Sequence, residues 1–122
     1  MFDHIVFSAS NYEESKSFFL AALKPLGVEV LLEGPLGIEM STDGKSSLCI
    51  RREPEPLGHL HIAFVAQTRD QVDAFYYAAL EAGAKDNGAP AVRPEYSSGY
   101  YAAFVLGPDG HNIEMVCHEE SA

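Results

Sequence analysis

The sequence predicts an α+β protein of two βαβββ modules, residues 1–52 and 59–118. Three observations predict this fold class: an internal repeat, a helix start signal at the same place in each copy, and turn residues between the apolar runs that follow. Residues 53–58, with two prolines and a glycine, form the linker within a single domain of residues 1–122.

The internal repeat organises the chain. Residues 4–23 align with residues 61–80 at an offset of 57, with eight identities in twenty positions, among them His4 with His61. Each copy opens with a run rich in β-branched and aromatic residues, which predicts a strand.

A helix follows each of these strands. Asn11 with Glu14, and Thr68 with Gln71, have the spacing of capping boxes, whose side chains satisfy exposed backbone N–H groups at a helix start. Apolar residues then recur at helical spacing in both copies. A glycine suited to the end of a helix follows each one: Gly27 and Gly83.

Apolar runs separated by turn residues predict three strands after each helix. In module 1 they are residues 28–32, 38–40 and 48–51. In module 2 they are one weak strand within residues 85–96 and two strong ones, 100–106 and 112–117, joined by the turn 107–110.

Side-chain alternation predicts a polar cluster on the sheet face away from the helices. His4 and His61 occupy equivalent places there, and Glu114 stands between apolar neighbours in a strand that otherwise resembles core. A buried carboxylate needs a cationic partner, and two imidazoles with one carboxylate suit Fe²⁺, Mn²⁺, Zn²⁺ or Ni²⁺ with sites left open. Two alternatives stay open: His59 as the ligand in place of His61, and pairing of Glu114 with an arginine.

Other residues predicted on or near that face suggest the ligand. Arg51 and Arg93 can bind a carboxylate or phosphate, and Tyr96 and Tyr100 offer aromatic walls with hydroxyls. We expect these four to bind a small anionic or aromatic, oxygenated substrate. The tyrosines suit a dimer interface equally well.

Charge and composition exclude several classes. The formal charge of −10 and the lack of a basic cluster argue against nucleic-acid binding. No apolar run is long enough for a membrane helix, so we expect a cytoplasmic protein with Cys49 and Cys117 reduced.

The two modules, the strand-opening His4 and His61, and the turn 107–110 leading to Glu114 resemble the vicinal-oxygen-chelate superfamily of glyoxalases, bleomycin-resistance proteins and extradiol dioxygenases. Segments 86–90, 93–96 and 99–106 are similar to bacterial glyoxalase-like proteins that are named lactoylglutathione lyases by similarity.

This resemblance implies that the two modules form a curved mixed sheet around a central cavity. It also implies a homodimer with a divalent metal ion held by His4, His61 and Glu114, the last also catalytic. The fourth ligand place of glyoxalases, a carboxylate, falls on Cys49, which is either a soft ligand or a core residue. The implied function is a metal-dependent lyase or dioxygenase reaction on a small substrate with vicinal oxygens. The alternative is a binding protein of the bleomycin-resistance kind, without catalysis.

Overall fold

The computed structural model describes residues 4–52 and 60–118, and each of these stretches contains one module. The predicted linker 53–58 and the alternative ligand His59 lie outside the described residues. None of the helices in the described stretches is long and apolar enough to cross a membrane.

Module 1 is a four-stranded mixed sheet with one helix. Strand β1 pairs in parallel with β4, and β4, β3 and β2 follow one another antiparallel. The elements are β1 (His4–Ser8), α1 (Tyr12–Ala22), β2 (Glu29–Gly34), β3 (Gly37–Ser41) and β4 (Ser47–Arg51), with a short 3-10 helix (Lys24–Leu26) after α1.

Module 2 repeats this order with a five-stranded sheet. Strand β5 pairs in parallel with β9, β8 pairs antiparallel with β9, and two short strands pair with β8. The elements are β5 (His61–Val65), α2 (Arg69–Glu81), β6 (Lys85–Asp86), β7 (Ala91–Val92), β8 (Tyr101–Leu106) and β9 (Asn112–Cys117), with a 3-10 turn (Pro108–Gly110) before β9. The α+β class with two βαβββ modules is confirmed.

The predicted helix starts are confirmed as well. The Asn11 side chain accepts a hydrogen bond from the Glu14 backbone N–H, and Thr68 with Gln71 makes the reciprocal pair of bonds of a capping box. Both glycines after the helices have left-handed backbones, with φ of 82° at Gly27 and 102° at Gly83.

Each sheet has one face under its helix and one face away from it. In β5 the alternation is complete, because Ile62 and Phe64 are buried whereas His61, Ala63 and Val65 are exposed. We call the side of each sheet that points away from its helix its free face. In module 1 the register places these residues on the free face: His4, Val6, Leu32, Glu39, Cys49 and Arg51. In module 2 they are His61, Ala63, Val65, Phe104 and Glu114.

The two modules pack through their helices and share one core. Helix α1 contacts α2, and the Phe7 ring meets the buried His111 ring edge-on at 5.7 Å. The Asp109 carboxylate accepts hydrogen bonds from the backbone N–H and hydroxyl of Ser10. In the described residues the two sheets remain separate, with no hydrogen-bonded strand pair between them. Over these residues, the two sheets of one chain therefore do not form one continuous sheet around a cavity. Such a sheet would require a free face from outside the chain.

Candidate functional site

The candidate site lies on the free face of module 2, around a buried carboxylate. Glu114 is only 2% exposed, although its side chain points away from the helix. Its neighbours in register are Ala63 on β5 and Phe104 on β8, and the Phe104 ring also meets the His61 ring at 6.3 Å. The apolar groups remove Glu114 from water, which makes polar partners necessary.

Two side chains meet the carboxylate, one at each oxygen. His61 Nε2 lies 2.8 Å from Glu114 Oε1, and the Tyr100 hydroxyl donates to Glu114 Oε2. The sequence left open an ion pair of Glu114 with Arg51 or Arg93, and the carboxylate is instead bonded to a histidine and a phenol.

Tyr100 is held in place as a hydrogen-bond donor. Burial, followed by the hydrogen bond to the Glu114 carboxylate, raises the pKa of Tyr100 far above its usual value. The phenol therefore keeps its proton at neutral pH. Its ring packs against Tyr96 at 5.0 Å and against His118 at 5.2 Å, so the hydroxyl is aimed by aromatic contacts on two sides.

The spacing of His61 and Glu114 fits neighbouring ligands of a metal ion. At ligand distances of about 2.0–2.2 Å, two adjacent ligand atoms on one ion lie roughly 3 Å apart. The 2.8 Å between Nε2 and Oε1 is close to that separation, and the His61 side chain is 55% exposed and therefore accessible. Imidazole with carboxylate is also a donor set suited to first-row divalent ions.

His4 does not join this pair within the chain. It lies exposed on β1, in the sheet of module 1, opposite Ser47. Over residues 4–52 and 60–118, no three His, Cys, Asp or Glu side chains come close enough to share a metal ion. The chain thus contains two of the three predicted ligands at one place and the third at another.

The remaining predicted binding residues divide between the modules. Tyr96 is exposed, and its ring packs at a tilt of 50° against the Tyr100 ring. The Arg93 guanidinium is occupied by backbone, donating to the carbonyl oxygens of Ala89 at 2.5 Å and Ala102 at 3.5 Å, and it covers the Phe104 ring. Arg51 is exposed on the free face of module 1, far along the chain from these groups.

Cys49 is a partly buried thiol beside a carboxylate. Its sulfur lies 3.9 Å from Glu39 Oε2, which also accepts a 2.7 Å hydrogen bond from the Ser47 hydroxyl. Burial raises the pKa of the Cys49 thiol. Glu39 was not among the predicted site residues, although its alternation with the apolar Ile38 and Met40 places it on the free face. Among the described residues, Cys49 and Cys117 are not joined by a disulfide bond.

The fold and this site define a class of protein. The chain belongs to the glyoxalase/bleomycin resistance protein/dioxygenase superfamily, whose family model matches residues 1–115. The resemblance drawn from the strand-opening histidines and the 107–110 turn is thereby confirmed at the level of the superfamily.

The individual relatives share low sequence identity with this chain. The metallothiol transferase FosB of Shouchella clausii (strain KSM-K16) is 28% identical over 123 residues, which cover 93% of this chain and 77% of the relative. A glyoxalase/bleomycin resistance protein from Albidiferax ferrireducens T118 has a TM-score of 0.84 at 25% identity, covering 96% of this chain and 98% of its own. Lactoylglutathione lyase from Agrobacterium tumefaciens shares the fold, with a TM-score of 0.70 at 15% identity over 96% of this chain and 92% of that one.

Proposed function

We propose that this protein is a metal-dependent enzyme that acts on a small substrate with vicinal oxygens, through a site shared by two copies of the chain. His61 and Glu114 of one copy and His4 of the other are the metal ligands. The observation that carries the proposal is the buried Glu114 carboxylate, held 2.8 Å from the exposed His61 imidazole on a free face.

A second copy explains the composition of the free faces. Val6 on module 1 and Val65 on module 2 are each 49% exposed. Apolar side chains grouped on a sheet face favour burial against another surface. When the module 1 face of one copy covers the module 2 face of the other, these residues are buried and His4 approaches His61 and Glu114. By two-fold symmetry the pair then contains two such sites.

Each residue of the site has a role in this proposal. A divalent ion, when bound, supplies Lewis-acid polarisation of the substrate oxygens. Glu114 neutralises part of its charge and is the catalytic carboxylate. Tyr100 holds Glu114 Oε2, which would leave Oε1 to hold the ion. Tyr96, at the exposed edge of the site, and Arg51, from the second copy, contact the substrate.

Two features bear on the type of reaction. The names of the relatives include a thiol transferase and a lactoylglutathione lyase, so both group transfer and lyase chemistry occur in proteins of related sequence or fold. Cys49 stands where the resemblance places the second carboxylate of glyoxalases. We therefore propose a reaction other than hemithioacetal isomerisation. A cytoplasmic location, in which Cys49 and Cys117 stay reduced, belongs to the same proposal.

Mixing two inactive variants tests the shared site. His4→Ala and Glu114→Ala each lack one ligand, so each alone binds Mn²⁺ or Zn²⁺ weakly in equilibrium dialysis. In a mixed dimer, His61 and Glu114 of the first variant meet His4 of the second, and one site is intact. Random pairing after co-refolding then restores about one ion per four chains.

A matched control removes a carboxylate that lies outside the site. Glu81→Ala, at the exposed end of α2, removes a carboxylate that is not a proposed ligand, so its metal stoichiometry equals that of the original protein. Recovery of no binding in the mixture would contradict the shared site. Unchanged metal binding by both single variants would contradict the ligand set itself.

A second candidate function is ligand sequestration without metal, as in bleomycin-resistance proteins. The observation that favours it is the direct His61 to Glu114 bond, which satisfies both groups without an ion. Thermal unfolding separates the two functions, because a ligand that binds only the folded state raises the Tm. Stabilisation by Mn²⁺, Zn²⁺ or Ni²⁺ supports the enzyme, and stabilisation by small aromatic compounds alone supports sequestration.

A further inference from the structure

A groove on module 1 is separate from the Glu114 cluster. It has a volume of about 440 Å³ and lies against the β2–β3 hairpin and β4. Its lining includes the apolar side chains of Leu32, Pro35 and Leu36, with Arg51 and Glu39 as its charged members. Leu32 and Leu36 are 67% and 78% exposed, so they are exposed walls rather than core residues.

Two glycines keep the floor of this groove open. Gly34 pairs with Gly37, and Gly37 pairs with Arg51, so β2, β3 and β4 each contribute one residue to a row across the sheet. Of these three residues, Arg51 alone has a side chain. A Cβ atom at Gly37 would lie 2.1 Å from the Ile50 carbonyl oxygen, and its φ of 152° also requires glycine. A Cβ at Gly34 would meet no atom within 4 Å. The space above the row is therefore open.

Arg51 contributes an uncompensated positive charge at one end of the groove. The neighbouring Arg52 donates to the Gly34 carbonyl at 3.0 Å, pairs with Glu33 at 3.4 Å and covers the Tyr12 ring at 4.2 Å. Within residues 4–52 and 60–118, the Arg51 guanidinium has no hydrogen bond or ion pair. In a chain of formal charge −10, a cation without a carboxylate partner is suited to an anionic ligand.

Glu39 determines the charge at the end of the groove opposite Arg51. It pairs with Cys49, two residues from Arg51 along β4, which places it roughly 7 Å from the Arg51 row. Its carboxylate accepts from the Ser47 hydroxyl and repels a second negative charge. The groove therefore favours one anionic group near Arg51 and disfavours another near Glu39.

From this arrangement we propose that the groove binds an apolar monocarboxylate, with its carboxylate on Arg51 and its hydrocarbon body between Leu32, Pro35 and Leu36. The groove shares its free face with His4, two strands away in register. We assign the bound acid to the apolar end of the substrate, which carries the carboxylate. This assignment rests on the proposed function. Binding of the acid itself needs no metal.

Three matched compounds test the charge preference. Metal-free protein is titrated with 3-phenylpropionate, its amide 3-phenylpropanamide, and 3-(4-carboxyphenyl)propionate, which adds a carboxylate at the far end. Affinity is measured by calorimetry, and the site is mapped by amide chemical shifts. We expect the monocarboxylate to bind about tenfold more tightly than either other compound, with shifts at Gly34 and Gly37. Equal binding of the amide or the dicarboxylate would overturn the proposal.

Variants locate the effect in the groove. Arg51→Gln weakens 3-phenylpropionate binding about tenfold, whereas Lys45→Gln, the same charge change at an exposed turn, leaves it unchanged. Leu36→Ser also weakens binding, and Leu36 is too exposed for its loss to impair folding. No effect of Arg51→Gln would exclude this site. If the amide chemical shifts of Gly34 and Gly37 change when the protein is diluted but not when the acid is added, a second copy of the chain occupies the groove. That result would overturn the proposal.

Two separate measurements distinguish this inference from the proposed function. Equilibrium dialysis with Mn²⁺ or Zn²⁺ tests the metal site, and titration of EDTA-treated protein with 3-phenylpropionate tests the groove. Metal binding without acid binding would refute the groove alone. Acid binding by a protein that takes up no metal would refute the proposed metal-dependent function but would leave the proposed acid-binding groove supported.

Discussion

Replacement of Tyr100 by phenylalanine removes one hydrogen bond from a buried charge and little else. The Glu114 carboxylate is 2% exposed, so water does not replace the lost hydroxyl at Oε2. The ring contacts with Tyr96 and His118 are retained, and the apolar area buried is nearly unchanged. A hydrogen bond to a charged group contributes about 1.5–3 kcal/mol, so we expect the free energy of unfolding to fall by about 2 kcal/mol.

Urea unfolding of metal-free protein at pH 7, followed by far-UV circular dichroism, measures this loss. Tyr96→Phe is the matched control, because Tyr96 is 61% exposed and its stability change stays within about 0.5 kcal/mol. In a Glu114→Gln background the cost of Tyr100→Phe decreases, since the acceptor is no longer charged. A loss below about 0.5 kcal/mol for Tyr100→Phe, or an equal loss for Tyr96→Phe, would refute the account of Glu114 given above.

Two further predictions concern module 1. The hydrogen bond from Tyr12, and then that from Lys16, lowers the pKa of Glu33, so its stabilisation is present above the unfolded pKa and is lost as the pH falls through the folded value. The difference in urea midpoint between the original protein and Glu33→Gln is therefore largest near pH 7 and shrinks below about pH 4; a difference independent of pH would contradict it. Gly37→Ala forces a Cβ atom onto the Ile50 carbonyl and costs more than about 3 kcal/mol, whereas Gly34→Ala has open space and costs under about 1 kcal/mol. Similar melting temperatures for the two alanine variants would show that the hairpin is not closed as described.

The sequence predicted local structure better than the relation between the modules. Alternation in β5 correctly separated the buried Ile62 and Phe64 from the exposed His61, and the apolar neighbours of Glu114 correctly indicated its burial. The reason is that local periodicity depends only on which face of one sheet is covered. The two-residue strands β6 and β7 had no periodicity to detect, and only part of the segment 85–96 was predicted as one weak strand.

The composition of the site was harder to predict. The repeat correctly gave His4 and His61 equivalent places in their modules, but equivalence within modules does not fix how two modules are oriented. The contact of Tyr100 with Glu114 depends on the path of the loop before β8, for which alternation gives no information. Arg93 was predicted to bind a ligand, and alternation gave no indication that its guanidinium donates to the Ala89 and Ala102 carbonyls.

The packing between the modules also bears on whether the two halves must belong to one continuous chain. Phe7 on His111 and Ser10 on Asp109 join the two halves through side chains and turns. A peptide connection between two associating parts raises their effective concentration. Fragments 1–52 and 60–118, produced from two separate genes, are therefore expected to recognise each other as a split protein. Each half could then be labelled, or altered, independently of the other.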